Sequence, residues 1–245
     1  MPRSLTIPTA IILAGVFIGG AVFFSNKASR PAAVVENVGE SATAPKQQGA
    51  APISGDDHIL GNPQAPIILI EYSDTECPFC KNYHATLHRI MDEYGKMGAV
   101  AWVYRHFPLA AVHSKSPKEA EATECAAELG GNSGFWLYLD RIFTITPSDN
   151  KLDPALLATI AADIGLDRAE FERCLKSGKY AKKVEAMVAD AERAGATGTP
   201  HTVVLVAGNQ LPLEGAQPYS SIRSLIESIL QNVPQAGSET EASVQ

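Results

Sequence analysis

Two cysteines stand two residues apart in "DTECPFCKNY", residues 74–83, behind an apolar run and ahead of a stretch with helical spacing. Such a pair can be a redox centre, half of a zinc site or a structural bond. Cys77 falls where a helix would begin. Free backbone N–H groups and the dipole at a helix start stabilise an anion, so this thiol is expected to ionise below the free value of about 8.5. Cys80 lies one turn further in, on the side of Leu87 and Met91, and is expected to be the more buried of the two. That asymmetry suits thiol–disulfide exchange. In the oxidised pair a substrate thiolate attacks the exposed sulfur of Cys77. A second substrate thiolate then resolves the mixed disulfide and leaves Cys77 and Cys80 reduced; run backwards, the same steps reduce a substrate disulfide.

A zinc site would need two more ligands. His84 and His88 extend the row as C-x-x-C-x3-H-x3-H. Four ligands on one straight helix cannot easily enclose a tetrahedral ion, so no metal and no cofactor is expected. His84 and His88 are read as helix-edge residues, with His84 near enough to tune the sulfurs. A purely structural Cys77–Cys80 bond closes too short a loop to stabilise much.

The elements that must position this pair follow from hydrophobic period. "PIILIEYS", residues 66–73, is a β-branched apolar run opened by proline, as expected of a strand buried on both faces. Beyond Cys80, Tyr83, Leu87, Ile90, Met91 and Tyr94 recur at helical spacing until "YGKMG". "AVAWVYRHF", residues 99–107, supplies a second strand, and a strand–helix–strand unit this short predicts parallel pairing. Helices are predicted at 116–129, 133–143, 154–164 with Asp153 as cap, 168–176 with Asp167 as cap, and 179–194. Glycines at 130, 165, 178 and 195 stand where they would close helices. "HTVVLVAGNQLPLEG" then predicts a hairpin turning at Gly208-Asn209, and Ile222, Leu225, Ile226, Ile229 and Leu230 a closing helix. The order is βαβ, helices, ββα, an α/β fold with an inserted helical subdomain at about 110–195.

Composition bounds the rest. The 245 residues are 45% hydrophobic, which is enough for one good core. A formal net charge of -7 leaves no basic face for a phosphate backbone, so nucleic acid is not expected as a partner. Residues 7–24, "IPTAIILAGVFIGGAVFF", run without a charge for about the length that crosses a bilayer. Residues 1–25 are therefore expected to be a transmembrane anchor, with a cleaved signal segment as the alternative. Residues 26–55 read as a flexible linker and residues 233–245 as a disordered tail, both poor in hydrophobic period. The catalytic domain is then 56–232.

With these blocks in order, a resemblance becomes specific. "CPFC" after "IILIEYSDTE", "YRHFPL" at 104–109, "ECAAELGGNSGFW" at 124–136, "FERCLKSGKYAKKVEA" at 171–186 and "GATGTPHTVV" at 195–204 resemble DsbA-like thiol-disulfide oxidoreductases of the thioredoxin superfamily over about 56–232. The resemblance implies a thioredoxin fold carrying a helical insertion. It implies that Cys77 is the nucleophile and Cys80 the resolving cysteine, with Pro78 and Phe79 tuning the reduction potential beside the substrate. Pro200 matches a proline that is cis in this superfamily and faces the cysteines. Thr199 before it would offer its backbone to an extended substrate as an added strand. Glu71 matches an acidic residue beneath the buried cysteine, where it would take and return the proton of Cys80; a strand-end glutamate reaching solvent is the alternative. Phe79 departs from the pattern, because a histidine is common there in strongly oxidising members.

Cys125 and Cys174 lie in separate predicted helices. They are either single buried thiols or, as in relatives with cysteines in these blocks, a second, non-catalytic bond worth about 4 kcal/mol in the chain-entropy model. The expected function is an envelope dithiol oxidase, anchored on the extracytoplasmic side of a bacterial membrane or released there after signal cleavage. It would act as a monomer on unfolded or extended exported polypeptides and be reoxidised by a membrane redox partner. The alternatives are a reductase or isomerase on the same scaffold, and a non-catalytic metal-binding or chaperone-like module.

Overall fold

The computed structural model describes residues 49–232. The expected anchor at 1–25, the expected tail at 233–245 and most of the expected linker lie outside the described residues. Among the described residues no helix is long and apolar enough to cross a membrane.

Five strands form one sheet: β1 (His58–Gly61), β2 (Ile67–Ser73), β3 (Val100–His106), β4 (His201–Val206) and β5 (Asn209–Glu214), in the spatial order β1-β3-β2-β4-β5. β2 and β3 are parallel, as the strand–helix–strand reading expects, with Glu71 opposite Tyr104. The remaining pairs are antiparallel, and the β4–β5 hairpin places Val206 opposite Asn209. β1 was not expected. Its four residues alternate too briefly to register as a strand, and only pairing with β3 makes it one.

Helix α1 (Pro78–Ile90) connects β2 to β3 and ends in a wider, π-helical turn at Met91–Gly95, so the apolar spacing read as one helix spans two geometries. The insertion holds α2 (Ser116–Ile145), a 3-10 turn at Pro154–Leu156 leading into α3 (Leu157–Asp163), α4 (Arg168–Ser177) and α5 (Ala181–Arg193). α6 (Tyr219–Asn232) closes the domain. The two helices expected at 116–129 and 133–143 are one run broken at Gly131, whose φ of 64° and ψ of -160° no other residue adopts easily; the break is thus one residue past the Gly130 expected to make it. Asp153 and Asp167 do cap their helices, accepting from Ala155 N at 2.9 Å and Glu170 N at 2.7 Å.

Because β2 is buried on both faces, its alternate residues serve two cores. Ile67 and Leu69 face α1, the second half of α2 and α6, joining Cys80, Leu87, Trp102, Phe135 and Ile222. Ile68, Ile70 and Tyr72 face the opposite side with Val103, Val203 and Ala191. A third core lies within the insertion, around Cys125, Tyr138, Ile142, Phe171 and Cys174.

The end of the expected linker is structured. Buried Arg105 binds the Ala51 and Pro52 carbonyls at 3.0 and 3.3 Å, Asp57 at 2.8 Å and Asp190 at 2.7 Å. Ala50 N donates to Gln210 Oε1 at 2.7 Å. A buried guanidinium must have its N–H groups satisfied, and this segment provides the carbonyls. The ordered domain therefore begins before residue 56.

Candidate active site

Cys77 is the N-cap of α1, in extended conformation, and Pro78 is the first helical residue. Proline suits that place because its ring presets φ and its missing N–H would have had no helical partner. The first free backbone donors are therefore those of Phe79 and Cys80. Both cysteines are thiols in this structure. Cys80 is fully buried, as its position in the helix predicts, but Cys77 is only 5% exposed, so the expectation of an exposed sulfur needs correction. What stands open beside it is Phe79, 63% exposed. Cys77 Sγ lies 3.5 Å from the carbonyl oxygen of Thr199, and the Thr199–Pro200 peptide is cis.

The two thiols are held far apart in acidity. Cys77 is drawn down from 9.0 to about 6, first by the hydrogen bond its sulfur takes from Cys80, against the cost of burial, then by the Thr199 hydroxyl and the N–H groups of Cys80 and Phe79. Thr199 Oγ1 is buried with no other partner and is thus free to serve that anion. Cys80 is pushed well above its ordinary value by burial and by the neighbouring Cys77 sulfur and Glu71 carboxylate.

Glu71 is fully buried in the central strand, on the same sheet face as Cys80, which rules out the strand-end glutamate reaching solvent. Burial raises its carboxyl to about 7, although Trp102 Nε1 donates to Oε2 at 3.0 Å. Glu71 Oε1, Ser73 Oγ and Tyr104 Oη are all buried without a partner. These polar atoms gather beneath the cysteines, where burial first, and then charge on Glu71 and Cys80, raises the Tyr104 phenol. Sequence reasoning found Glu71 but not Ser73, Trp102 or Tyr104. The available signal was parity: residues 71 and 73, and 102 and 104, share one face of adjacent strands once the register is known.

The loop before Cys77 is a second omission. Asp74 Oδ1 accepts from Ser116 Oγ at 2.6 Å and from Glu76 N at 2.8 Å, and Glu76 accepts from Leu152 N at 2.9 Å. Thr75 Oγ1 donates to Glu119 at 2.6 Å. Three buried polar residues in a row thereby pin the active loop to the insertion.

His84 is not a helix-edge residue. It is buried against Trp102 and Phe143, and its Nε2 faces Asp140 and His88 and neither sulfur. Cys125 and Cys174 are bonded, with sulfurs 2.00 Å and Cα atoms 5.8 Å apart, joining α2 to α4 in a core separate from that of the CPFC pair.

A dithiol at a helix start, facing the residue before a cis proline on a βαβ–ββα sheet, defines a thioredoxin-type exchange centre. Comparison with known proteins agrees: the thioredoxin family profile matches residues 54–228. The chain belongs to that family, and its fold is DsbA-like. Among solved structures it is similar to DsbA2 of Pseudomonas aeruginosa, with 28% identity and a TM-score of 0.62 over 76% of this chain and 100% of that one. BdbD from Bacillus subtilis, at 23% identity and TM-score 0.65 over 75% and 97%, shares the fold. Curated relatives include the Na(+)/H(+) antiporter NhaA 3 of Salinispora tropica, 33% identical over 144 residues, and the NhaA antiporter of Herminiimonas arsenicoxydans, 31% identical over 172 residues. The match covers 59% and 70% of this chain but only 21% and 25% of theirs, so the chain spans about a quarter of the length of these relatives.

Proposed function

We propose that this chain is an oxidase that donates the Cys77–Cys80 disulfide to exported polypeptides on the extracytoplasmic side of a bacterial envelope. The observation that carries this reading is the inequality of the two sulfurs: one stabilised as an anion at the helix start, the other buried and held as a thiol. A stabilised Cys77 thiolate favours the reduced protein over its disulfide, which makes the disulfide a strong oxidant.

A substrate thiolate attacks Cys77 Sγ, the Cys77–Cys80 bond breaks, and Cys80 leaves as a thiolate in an apolar site that disfavours it. Glu71, protonated about half the time near pH 7, gives its proton to Cys80. A second substrate thiolate attacks the substrate sulfur of the mixed disulfide and expels Cys77 as a thiolate. Two electrons pass from substrate to enzyme, and a membrane redox partner removes them afterwards. Phe79 and the Thr199 backbone flank the attacked sulfur and would seat an extended segment. Residues 7–24 would hold the domain at the membrane, or be removed on export.

The test is an equilibrium titration of the Cys77/Cys80 pair against glutathione. An oxidase gives a potential near that of oxidising relatives, about -120 mV on the scale where thioredoxin lies near -270 mV. A value near the thioredoxin end would assign the same site to reduction.

A further inference from the structure

The row C-x-x-C-x3-H-x3-H cannot enclose an ion by itself, yet its two histidines converge on a residue from another helix. His84 and His88, one turn apart on α1, place both Nε2 atoms 2.8 Å from the same oxygen, Asp140 Oδ1 on α2. The two Nε2 atoms are 3.1 Å from each other. Two nitrogens and one oxygen thus form a nearly equilateral triangle.

We propose that His84, His88 and Asp140 bind one divalent transition-metal ion of the zinc class, bridging the catalytic helix α1 to the inserted helix α2. A tetrahedral zinc ion with bonds of about 2.0–2.1 Å keeps its ligand atoms about 3.3 Å apart, so the triangle needs to open by only a few tenths of an ångström. Imidazole and carboxylate together suit zinc, cobalt, nickel or copper rather than calcium or magnesium, which prefer all-oxygen shells. The site is open on one side. The side chains of His88 and Asp140 are 36% and 40% exposed, which allows the ion to enter and a water to complete its shell, whereas His84 at 7% is held from within. Trp102 and Phe143 wall the inner side, with ring centroids 5.1 and 4.5 Å from that of His84.

On binding, each ring keeps one proton, and any further proton held against Asp140 leaves to solvent. In the metal-free triangle the Nε2–H groups donate to Asp140. With the ion bound, each Nε2 lone pair coordinates and each ring carries its one proton on Nδ1. The buried His84 Nδ1 has no partner, so the ligating tautomer leaves its N–H unpaired, a cost that the metal bonds must exceed. The site requires neither Cys77 nor Cys80 and is independent of the direction of electron flow.

The experiment uses the full chain in detergent with both cysteine pairs oxidised, so that no thiolate competes. Zinc is titrated against a chromophoric chelator, and cobalt(II) is followed by its visible d–d bands. The expected result is one equivalent per chain, a tetrahedral cobalt spectrum without sulfur charge-transfer, and quenching of tryptophan emission by copper(II) through Trp102. His88→Ala and Asp140→Asn, both at half-exposed positions, should each weaken binding by about 100-fold or more while leaving the circular dichroism unchanged. Absence of saturable binding, binding that survives both substitutions, or binding confined to the reduced protein with a sulfur charge-transfer band would each overturn the proposal.

Discussion

At the scale of single residues, the chemistry rests on opposite treatment of neighbouring groups. Cys77 should react with iodoacetamide along a pH profile with its midpoint at about 6, while Cys80 stays unlabelled across the same range. A midpoint between 8 and 9, as for a free thiol, would contradict the proposed mechanism. The depressed Cys77 value also sets a sign. Between about 6 and 9 the folded dithiol has lost a proton that the unfolded chain still holds, so the reduced form gains stability as pH rises through that window and loses it as pH falls through 6. Glu71 runs the other way. Its carboxyl is raised from 4.5 to about 7, so the folded state keeps a proton that the unfolded chain releases, and stability falls as pH rises between those values. Glu71→Gln, which keeps an acceptor for Trp102, should therefore stabilise the protein at pH 8 by up to about 3 kcal/mol and change little at pH 4. It should also flatten the pH dependence of exchange near 7; an unmoved profile would remove Glu71 from proton transfer. Cys77, Cys80 and Glu71 were legible because their types are unusual where they stand. Ser73, Trp102, Tyr104 and Asp140 were not, because serines, aromatics and surface aspartates carry no local mark of what they will meet.

Among the elements, the helices of the insertion were readable from their caps and glycines, whereas their joins were not. Asp167 accepts the Glu170 N–H at 2.7 Å, and Asp167→Ala should cost about 1 kcal/mol in urea unfolding. The Cys125–Cys174 bond ties α2 to α4 across a separation of 49 residues. Replacing both with alanine should lower stability by up to about 4 kcal/mol, read as a fall of roughly 10 °C in Tm, and leave the rate of thiol exchange at Cys77 intact. A large loss of exchange activity at a temperature where the variant remains folded would tie the bond to the active site. β1 and the π-helical turn escaped the reading for a shared reason. Each is a short departure from a regular period, and a four- or five-residue departure is not distinguishable from noise until a neighbouring element fixes it.

For the molecule as a whole, the buried Arg105 network sets where the domain begins. Arg105→Ala would strand Asp57 without its cation and leave Asp190 only Arg193, costing about 3–5 kcal/mol, and hydrogen exchange should show residues 50–57 opening first. Full protection of that segment in the variant would mean that the Ala50–Gln210 contacts suffice. By itself the sequence determined the βαβ–ββα order, the helical insertion and the CPFC pair at a helix start, because period, capping and helix-end electrostatics act over a few residues. Only the tertiary structure decided that Thr199 faces Cys77, that Glu71 is sealed beneath Cys80, that His84 and His88 meet Asp140, and that residues 50–57 belong to the domain. Those facts depend on strand register and helix docking, which bring together residues from 31 to 122 positions apart in the cases of Glu71–Trp102 and Cys77–Thr199. No local interaction selects such partners; burial of the shared core does.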